Sequence, residues 1–208
     1  MPNSPPLPHL PPRRELPGQE PASPAADPQS PARPRRVGIL LAIAVAVLAA
    51  DVITKSVVVA TLASRPPIRL LGGFLTLTLS RNPGAAFSIG PSLTIVFTAI
   101  AVSVIVFILR TSRRIRSFPW AISLGLLLGG ATGNLIDRLL RYPGPLRGYV
   151  VDWIMLPHWP IFNLADSSIV CGSVLAVLLA TVGLRVDGTR NVAPPRRAAV
   201  SQAPGGDG

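Results

Sequence analysis

Four long apolar segments constrain this chain more than any other feature of its sequence. They cover residues 37–62, 93–109, 119–140 and 161–184. Each has roughly the 17 to 25 residues that a helix needs to cross a bilayer. Apolar residues make up 49% of the chain and charged residues only 14%, which is typical of a membrane protein. The sequence therefore predicts an all-α integral membrane protein with four transmembrane helices.

The first segment has a second interpretation, as a secretory signal peptide. Arg35 and Arg36 precede it, and the small residues Ala49 and Ala50 end its first apolar run. The run resumes after Asp51, however, and becomes too long for the apolar part of a cleaved signal. We therefore expect a retained helix.

Polar tails flank the four segments. Residues 1–36 hold 12 of the 24 prolines, and residues 187–208 are rich in Gly, Pro and Arg. Such stretches neither sustain a helix nor bury a core, so we expect both to be disordered. Residues 37–186 then form the transmembrane domain.

Basic residues predict the orientation of the helices. The net charge is +11, and 13 of the 20 Lys and Arg residues lie before the first segment, between the second and third, or after the fourth. Cytoplasmic flanks of transmembrane helices are enriched in these residues. We therefore expect both termini and the middle loop in the cytoplasm, with residues 63–92 and 141–160 outside. The arginines are not interleaved with aromatic residues along a polar face, which argues against nucleic-acid binding.

The first outer segment contains a strand pattern. Residues 75–80 alternate Leu with Thr or Ser, and the turn sequence Asn-Pro-Gly follows at 82–84. An unpaired strand edge is unstable in hydrocarbon. The pattern therefore predicts a small β-sheet at the extracytoplasmic interface.

Acidic residues are rare outside the tails, and all of them fall in the outer half of the predicted membrane region. They are Asp51, Asp137, Asp152 and Asp166. Ionisable groups in or beside a membrane are costly to keep, which favours a functional site. The alternative is a set of independent structural ion pairs.

Two of these aspartates have partners close in sequence. Lys55 lies four residues after Asp51, on the same helical face and in the favourable order. Asp137 has Arg138 next to it and Asn134 three residues before it. A structural or supporting role is favoured for both.

Asp152 and Asp166 have no such partner. Asp166 lies near a helix N-terminus, which stabilises negative charge, whereas Asp152 lies among apolar residues. An apolar setting raises the pKa of a carboxyl, and two neighbouring carboxyls share one proton. Such a pair can activate water against an amide, with one carboxyl as base and the other as acid.

Other hydrolytic centres find little support in the sequence. Cys171 is the single cysteine, His9 and His158 are far apart, and neither a serine-hydrolase elbow nor a zinc-peptidase helix motif occurs. Lys55 and Ser56 are adjacent, so on a helix they point about 100° apart. A Ser/Lys pair is therefore disfavoured.

Four short motifs follow one another between about residues 51 and 171, and the fourth consists of two parts. They are Asp-Val-Ile-Thr-Lys at 51–55, Arg-Asn-Pro-Gly-Ala-Ala-Phe-Ser at 81–88, Gly-Gly-Ala-Thr-Gly-Asn-Leu-Ile-Asp-Arg at 129–138, and Val-Val-Asp-Trp at 150–153 followed by Phe-Asn-Leu-Ala-Asp-Ser at 162–167. In this order they resemble the motifs of the bacterial lipoprotein signal peptidases, the signal peptidase II family. Each motif alone is weak, but together they are specific.

The resemblance implies a fold of four transmembrane helices with a small interfacial sheet, and it assigns catalysis to Asp152 and Asp166. Substrate contact or support of this pair is implied for Asn82, Asn134, Arg138 and Asn163. Structural support is implied for Asp51, Lys55 and Asp137. Two departures are that Trp153 stands where Phe is expected, and that the 14-residue spacing of the catalytic pair is short.

The activity implied by the resemblance is that of an aspartic endopeptidase without metal or cofactor. It would remove the signal peptide from lipid-modified prolipoproteins, on the amino side of the diacylglyceryl-cysteine. Phe87 and the leucine face of residues 75–79 are candidates to cradle the lipid or peptide. The implied setting is the bacterial cytoplasmic membrane, with the active site near its outer face, contact with membrane lipid, and a monomeric enzyme.

Two alternatives come from other classes of protein. A transporter or channel would use the same aspartates as an ion or proton path, although no acid lies on the cytoplasmic half of any predicted span. A metal-dependent hydrolase would use them as oxygen ligands.

Small and aromatic residues suggest further roles. Gly125, Gly129 and Gly133 are spaced by four, which predicts a smooth stripe for close helix packing. Trp153 and Trp159 are interpreted as interfacial anchors, with a substrate clamp as the alternative.

Overall fold

A computed structural model describes residues 34–84 and 93–190 of the chain. Its elements are α1 (Val37–Leu62), β1 (Ile68–Leu70), β2 (Leu75–Asn82), α2 (Leu93–Ser112), α3 (Phe118–Leu140), β3 (Val150–Met155) and α4 (Leu164–Thr181). All four helices are long and apolar enough to cross a membrane. The predicted fold class is therefore confirmed. Phe87 and most of both predicted tails lie outside the described residues.

The helix boundaries follow local capping. α1 has the predicted bounds, α2 continues to Ser112, and α4 is shorter at both ends than the predicted segment 161–184. Asn163 caps α4: its side-chain oxygen accepts a hydrogen bond from the N–H of Asp166 (2.9 Å), and the Asp166 carboxylate accepts one from the N–H of Asn163 (3.1 Å). This capping box starts the helix and places Asp166 in its first turn.

α3 is the central helix and packs against α1, α2 and α4. Half of its span is buried, against 17 to 22% of the other three. The predicted glycine stripe faces α1: a Cβ at Gly129 would lie 2.7 Å from Cβ of Val47 and 2.8 Å from the Ala44 carbonyl oxygen. On the side of α4, a Cβ at Gly130 would lie 2.5 Å from the Ala165 carbonyl oxygen. The close packing predicted from the glycine spacing is confirmed.

The three strands form one antiparallel sheet in the order β1-β2-β3. β1 and β2 are joined by a tight turn in which Gly72 and Gly73 have φ angles of 67° and 97°, a region that favours glycine. β3 comes from the loop between α3 and α4 and pairs with β2, so that Ser80 lies opposite Asp152. The sheet packs on the C-terminal end of α1 through a cluster of Val58, Leu62, Leu77, Leu79 and Val151. The strand predicted at residues 75–80 is confirmed.

The opposite end of the bundle joins three separate parts of the chain. The N–H of Arg36, just before α1, donates to the Ile115 carbonyl in the α2–α3 loop (2.9 Å), and the N–H of Ser117 donates to the Val186 carbonyl (3.1 Å). Residues 184–190 form a small hairpin closed by a β-bridge. The first four residues of the predicted C-terminal tail belong to this hairpin, and residues 191–208 lie outside the described part of the chain.

Candidate functional site

Asp152 lies on β3 and is 2% exposed. Both carboxyl oxygens accept hydrogen bonds from side-chain amides, Oδ2 from Asn82 (2.9 Å) and Oδ1 from Asn163 (2.7 Å). Burial raises the pKa of Asp152 to about 6, and the negative charge of Asp166 acts in the same direction, whereas the two amide donors lower the pKa. Asp152 is therefore a buried carboxyl whose pKa lies well above that of an exposed aspartate.

Asp166 reaches the same site from the first turn of α4, where the helix N-terminus stabilises negative charge. Its Oδ1 accepts a hydrogen bond from the side-chain amide of Asn134 on α3 (2.7 Å), and its Oδ2 accepts the backbone N–H of Asn163. The side chain is half-buried. Both oxygens are therefore oriented by neutral donors.

Asn163 connects the two carboxyls. Its side-chain amide donates to Asp152 and also to Oδ1 of Asn134 (3.2 Å), while its backbone N–H donates to Asp166. The residue is fully buried, at 0% exposure. The structure thus brings the predicted pair together through a continuous set of hydrogen bonds from β3, α3 and α4.

Arg138 approaches the site from α3. Its guanidinium is attracted by the carboxylates of Asp152 and Asp166, and the residue is 9% exposed. Nη1 is buried and has no hydrogen-bond partner among the described residues. It lies next to Gly84, where an added Cβ would be 3.6 Å away. Arg138 therefore has one donor that the described residues leave unused.

A cavity of about 220 Å³ lies beside Asp152. Its walls are the end of β2, including Ser80 and Asn82, and residues 160–161 of the loop before α4. The cavity therefore meets the buried carboxyl of Asp152 on the side of the sheet. The turn predicted at 82–84 forms part of this wall.

Lys55 forms an ion cluster beneath the two carboxyls and is 1% exposed. Its Nζ lies 2.7 Å from Oδ2 of Asp51, 3.0 Å from Oδ2 of Asp137 and 3.1 Å from Oδ1 of Asn134. Asp51 also accepts the backbone N–H of Ala165 at the start of α4 (3.0 Å). The cluster ties α1, α3 and α4 together directly below the site.

Asp137 has different partners from those that the sequence indicated. It pairs with Lys55 and with Nε of Arg141, and it accepts the backbone N–H of Val151 on β3 (3.1 Å). The adjacent Arg138 is attracted by the carboxylates of Asp152 and Asp166 instead. Adjacent residues on a helix point in different directions, whereas residues four apart share a face, so the spacing from 137 to 141 was the signal for Arg141.

The two tryptophans occupy different environments. Trp153 is partly buried and packs against the cluster that joins the sheet to α1. Trp159 lies in the loop before α4 and is 64% exposed. Trp159 therefore fits the predicted interfacial anchor better than Trp153 does.

The chain is similar to known proteins over most of its length. Residues 43–182 match a family model described as signal peptidase (SPase) II. A Lipoprotein signal peptidase of Rhodococcus jostii is 48% identical over 166 residues, covering 80% of this chain and 83% of the relative. One of Streptomyces coelicolor is 52% identical over 155 residues, covering 74% and 76%.

One solved structure has a similar fold. It is described as a bacterial membrane enzyme structure by the in meso method at 1.9 Å resolution, and it is similar with a TM-score of 0.62 and 29% identity, over 72% of this chain and 96% of that chain. None of these matches supports the transporter alternative. The chain belongs to the signal peptidase II family.

Proposed function

We propose that Asp152 and Asp166 are the catalytic pair of a membrane-embedded aspartic endopeptidase. The substrate is a lipid-modified prolipoprotein, cut on the amino side of its diacylglyceryl-cysteine. Family membership supports the peptidase activity and the class of precursor. The observation that carries the assignment of the pair is that Asn163 donates to both carboxyls, beside a cavity that reaches Asp152.

The two carboxyls divide the acid and base roles according to their surroundings. Asp166, at a helix N-terminus, takes a proton from the attacking water while the water oxygen bonds to the peptide carbonyl carbon. Asp152 donates its proton to the carbonyl oxygen. When the C–N bond breaks, Asp166 passes its proton to the leaving cysteine amine, and Asp152 recovers one from the hydroxyl that becomes the new carboxyl. Both groups return to their starting states without a covalent intermediate.

Four neighbouring residues support this chemistry. Asn82 and Asn163 hold the Asp152 carboxyl, and Asn134 orients Asp166. We assign to the remaining donor, Nη1 of Arg138, contact with the substrate or support of the pair. Preorganised donors of this kind stabilise developing negative charge without reorganisation. Below them, the structural support comes from Asp51, Lys55 and Asp137.

The basic residues together with the fold support one orientation in the membrane. The start of α1, the α2–α3 loop and the hairpin after α4 lie at one end of the bundle, and these are the Arg-rich regions. That end therefore faces the cytoplasm, with both termini. The aspartates and the sheet then lie near the outer face of the cytoplasmic membrane, where a monomer receives the acyl chains of its substrate laterally from the lipid.

The direct test compares two forms of one precursor. Purified protein should cleave a diacylglyceryl-modified precursor and leave the unmodified precursor intact, because each buried methylene of the lipid contributes about 0.8 kcal/mol to binding. Products are measured by mass spectrometry, which also locates the cut. Equal cleavage of both precursors would contradict recognition of the lipid.

Activity should depend on the proton of Asp152. Burial raises its pKa to about 6, so the acid form is present below that pH and is lost above it, and kcat/KM should fall as pH rises through about 6. The hydrogen bond from Asn82 lowers this pKa, so Asn82→Ala should move the alkaline limb to higher pH. The measurement is a pH–rate profile of each protein, with Thr78→Ala on the same strand as the control. An unchanged limb in Asn82→Ala would show that Asp152 is not the titrating acid.

A further inference from the structure

A second cavity lies at the end of the bundle opposite the aspartates. Its volume is about 580 Å³, and three parts of the chain line it. α2 and the turn after it contribute Phe107, Arg110 and Arg114, α3 contributes Trp120, and the hairpin after α4 contributes Arg185. It has no part in the proposed chemistry.

Specific hydrogen bonds build this cavity. The indole Nε1 of Trp120 donates to the Leu184 carbonyl (2.8 Å), and the N–H of Ser117 donates to the Val186 carbonyl (3.1 Å). These bonds hold the hairpin against the start of α3. Arg185 is thereby kept beside the arginines of the α2–α3 region.

The charge of the cavity is positive. Its one carboxylate, Asp187, already accepts hydrogen bonds from the N–H (2.9 Å) and hydroxyl (2.6 Å) of Thr189. The three arginines outnumber that aspartate by two charges. Within residues 34–84 and 93–190, the ion pairs lie around Lys55 and Asp137, and none uses an arginine of this cavity. The lining therefore suits an anion with several oxygen acceptors, such as a phosphate group.

The same lining is also apolar on one side. Phe107 lies one helical turn before Arg110 on α2 and is 65% exposed, and Trp120 borders the cavity from α3. Exposed apolar residues continue along α2 away from the arginines, including Val106, Ile100 and Phe97. A ligand that carries both an anionic group and long apolar chains uses the whole surface.

We propose that this cavity binds the headgroup of an anionic phospholipid from the cytoplasmic leaflet. The phosphate lies among Arg110, Arg114 and Arg185, and the acyl chains run past Phe107 along the outer side of α2. Basic pockets between transmembrane helices on the cytoplasmic side are suited to such headgroups. The bound lipid links the α2–α3 loop to the hairpin after α4.

The test measures lipid binding to the delipidated full chain by native mass spectrometry. Phosphatidylglycerol should bind, whereas zwitterionic phosphatidylcholine and inorganic phosphate should not. Arg110→Gln/Arg114→Gln should weaken binding of phosphatidylglycerol about 10-fold or more. The matched control is Arg35→Gln/Arg113→Gln, which removes two exposed arginines at the same end outside the cavity. The control should weaken binding much less, because its two arginines do not line the cavity.

Three outcomes would overturn the proposal. An equal loss in both double variants would mean that general positive charge, not a cavity, attracts the lipid. Binding of phosphatidylcholine as tight as phosphatidylglycerol would remove the role of charge, and tight binding of inorganic phosphate would indicate a soluble ligand. Cleavage of a lipid-modified precursor shows that each variant is folded. If Arg110→Gln/Arg114→Gln does not cleave the precursor, the single variant Arg185→Gln is measured in its place. It must then bind phosphatidylglycerol more weakly than the unaltered protein.

Discussion

Asp152→Asn and Asp166→Asn should each abolish cleavage of a lipid-modified precursor while the protein still inserts and folds. Each substitution removes one of the two groups that we propose exchange protons with water and substrate, which should lower kcat about 10²- to 10⁴-fold or more. The measurement is single-turnover cleavage by purified protein. Near-normal turnover by either variant would reject the proposed pair.

A control is needed because each asparagine also disturbs hydrogen bonds. Asp152 accepts from two amide donors, Asn82 and Asn163, and an asparagine there has only one oxygen to offer. Some loss of stability is therefore expected in the variant. Asn82→Ala removes one of the same hydrogen bonds but keeps the carboxyl, so it should retain measurable cleavage. If Asn82→Ala is as inactive as Asp152→Asn, loss of geometry would explain both results.

Chelation separates this mechanism from metal-dependent hydrolysis. The described residues contain no group of three or more His, Cys, Asp or Glu side chains placed to hold a metal ion. The carboxyl oxygens of the pair are instead occupied by amide donors. Cleavage should therefore continue in excess chelator, whereas its loss and recovery with added metal would favour the metal hydrolase.

Features set by local sequence were predictable from the sequence alone. The bounds of α1, the strand at residues 75–80 and the packing role of Gly129 follow from apolar length, alternation and spacing. The first two depend on neighbours within a few residues, and the third needs only a stripe of small residues along one helix face. They therefore survive in the folded protein with little change.

Features set by the approach of distant segments were not predictable in the same way. Periodicity does not reveal that β3 pairs with β2, because the strand comes from a loop far along the chain. Nor does it reveal that Asn163 both caps α4 and joins the two carboxyls. The hairpin at residues 184–190 has the composition of a tail, yet hydrogen bonds to α3 hold it in place.

The contacts of Lys55 were also only partly predictable from the sequence. The i, i+4 spacing indicates the pair with Asp51, but the contacts to Asp137 and Asn134 exist only because α3 packs closely on α1. Nζ thus neutralises two buried carboxylates and also holds the asparagine that orients Asp166. One cation supports both the packing of the helices and the geometry of the site.

Lys55→Met should therefore destabilise the protein by about 3–5 kcal/mol, because it leaves buried carboxylates without their cation. The measurement is unfolding in detergent micelles, with Ser56→Ala as the control on the exposed face of the same helix. Adding Asp51→Asn to Lys55→Met should recover part of the loss, since a neutral buried amide costs less than an unpaired buried charge. A loss no larger than that of Ser56→Ala, or no recovery in the double variant, would contradict the structural role of this cluster.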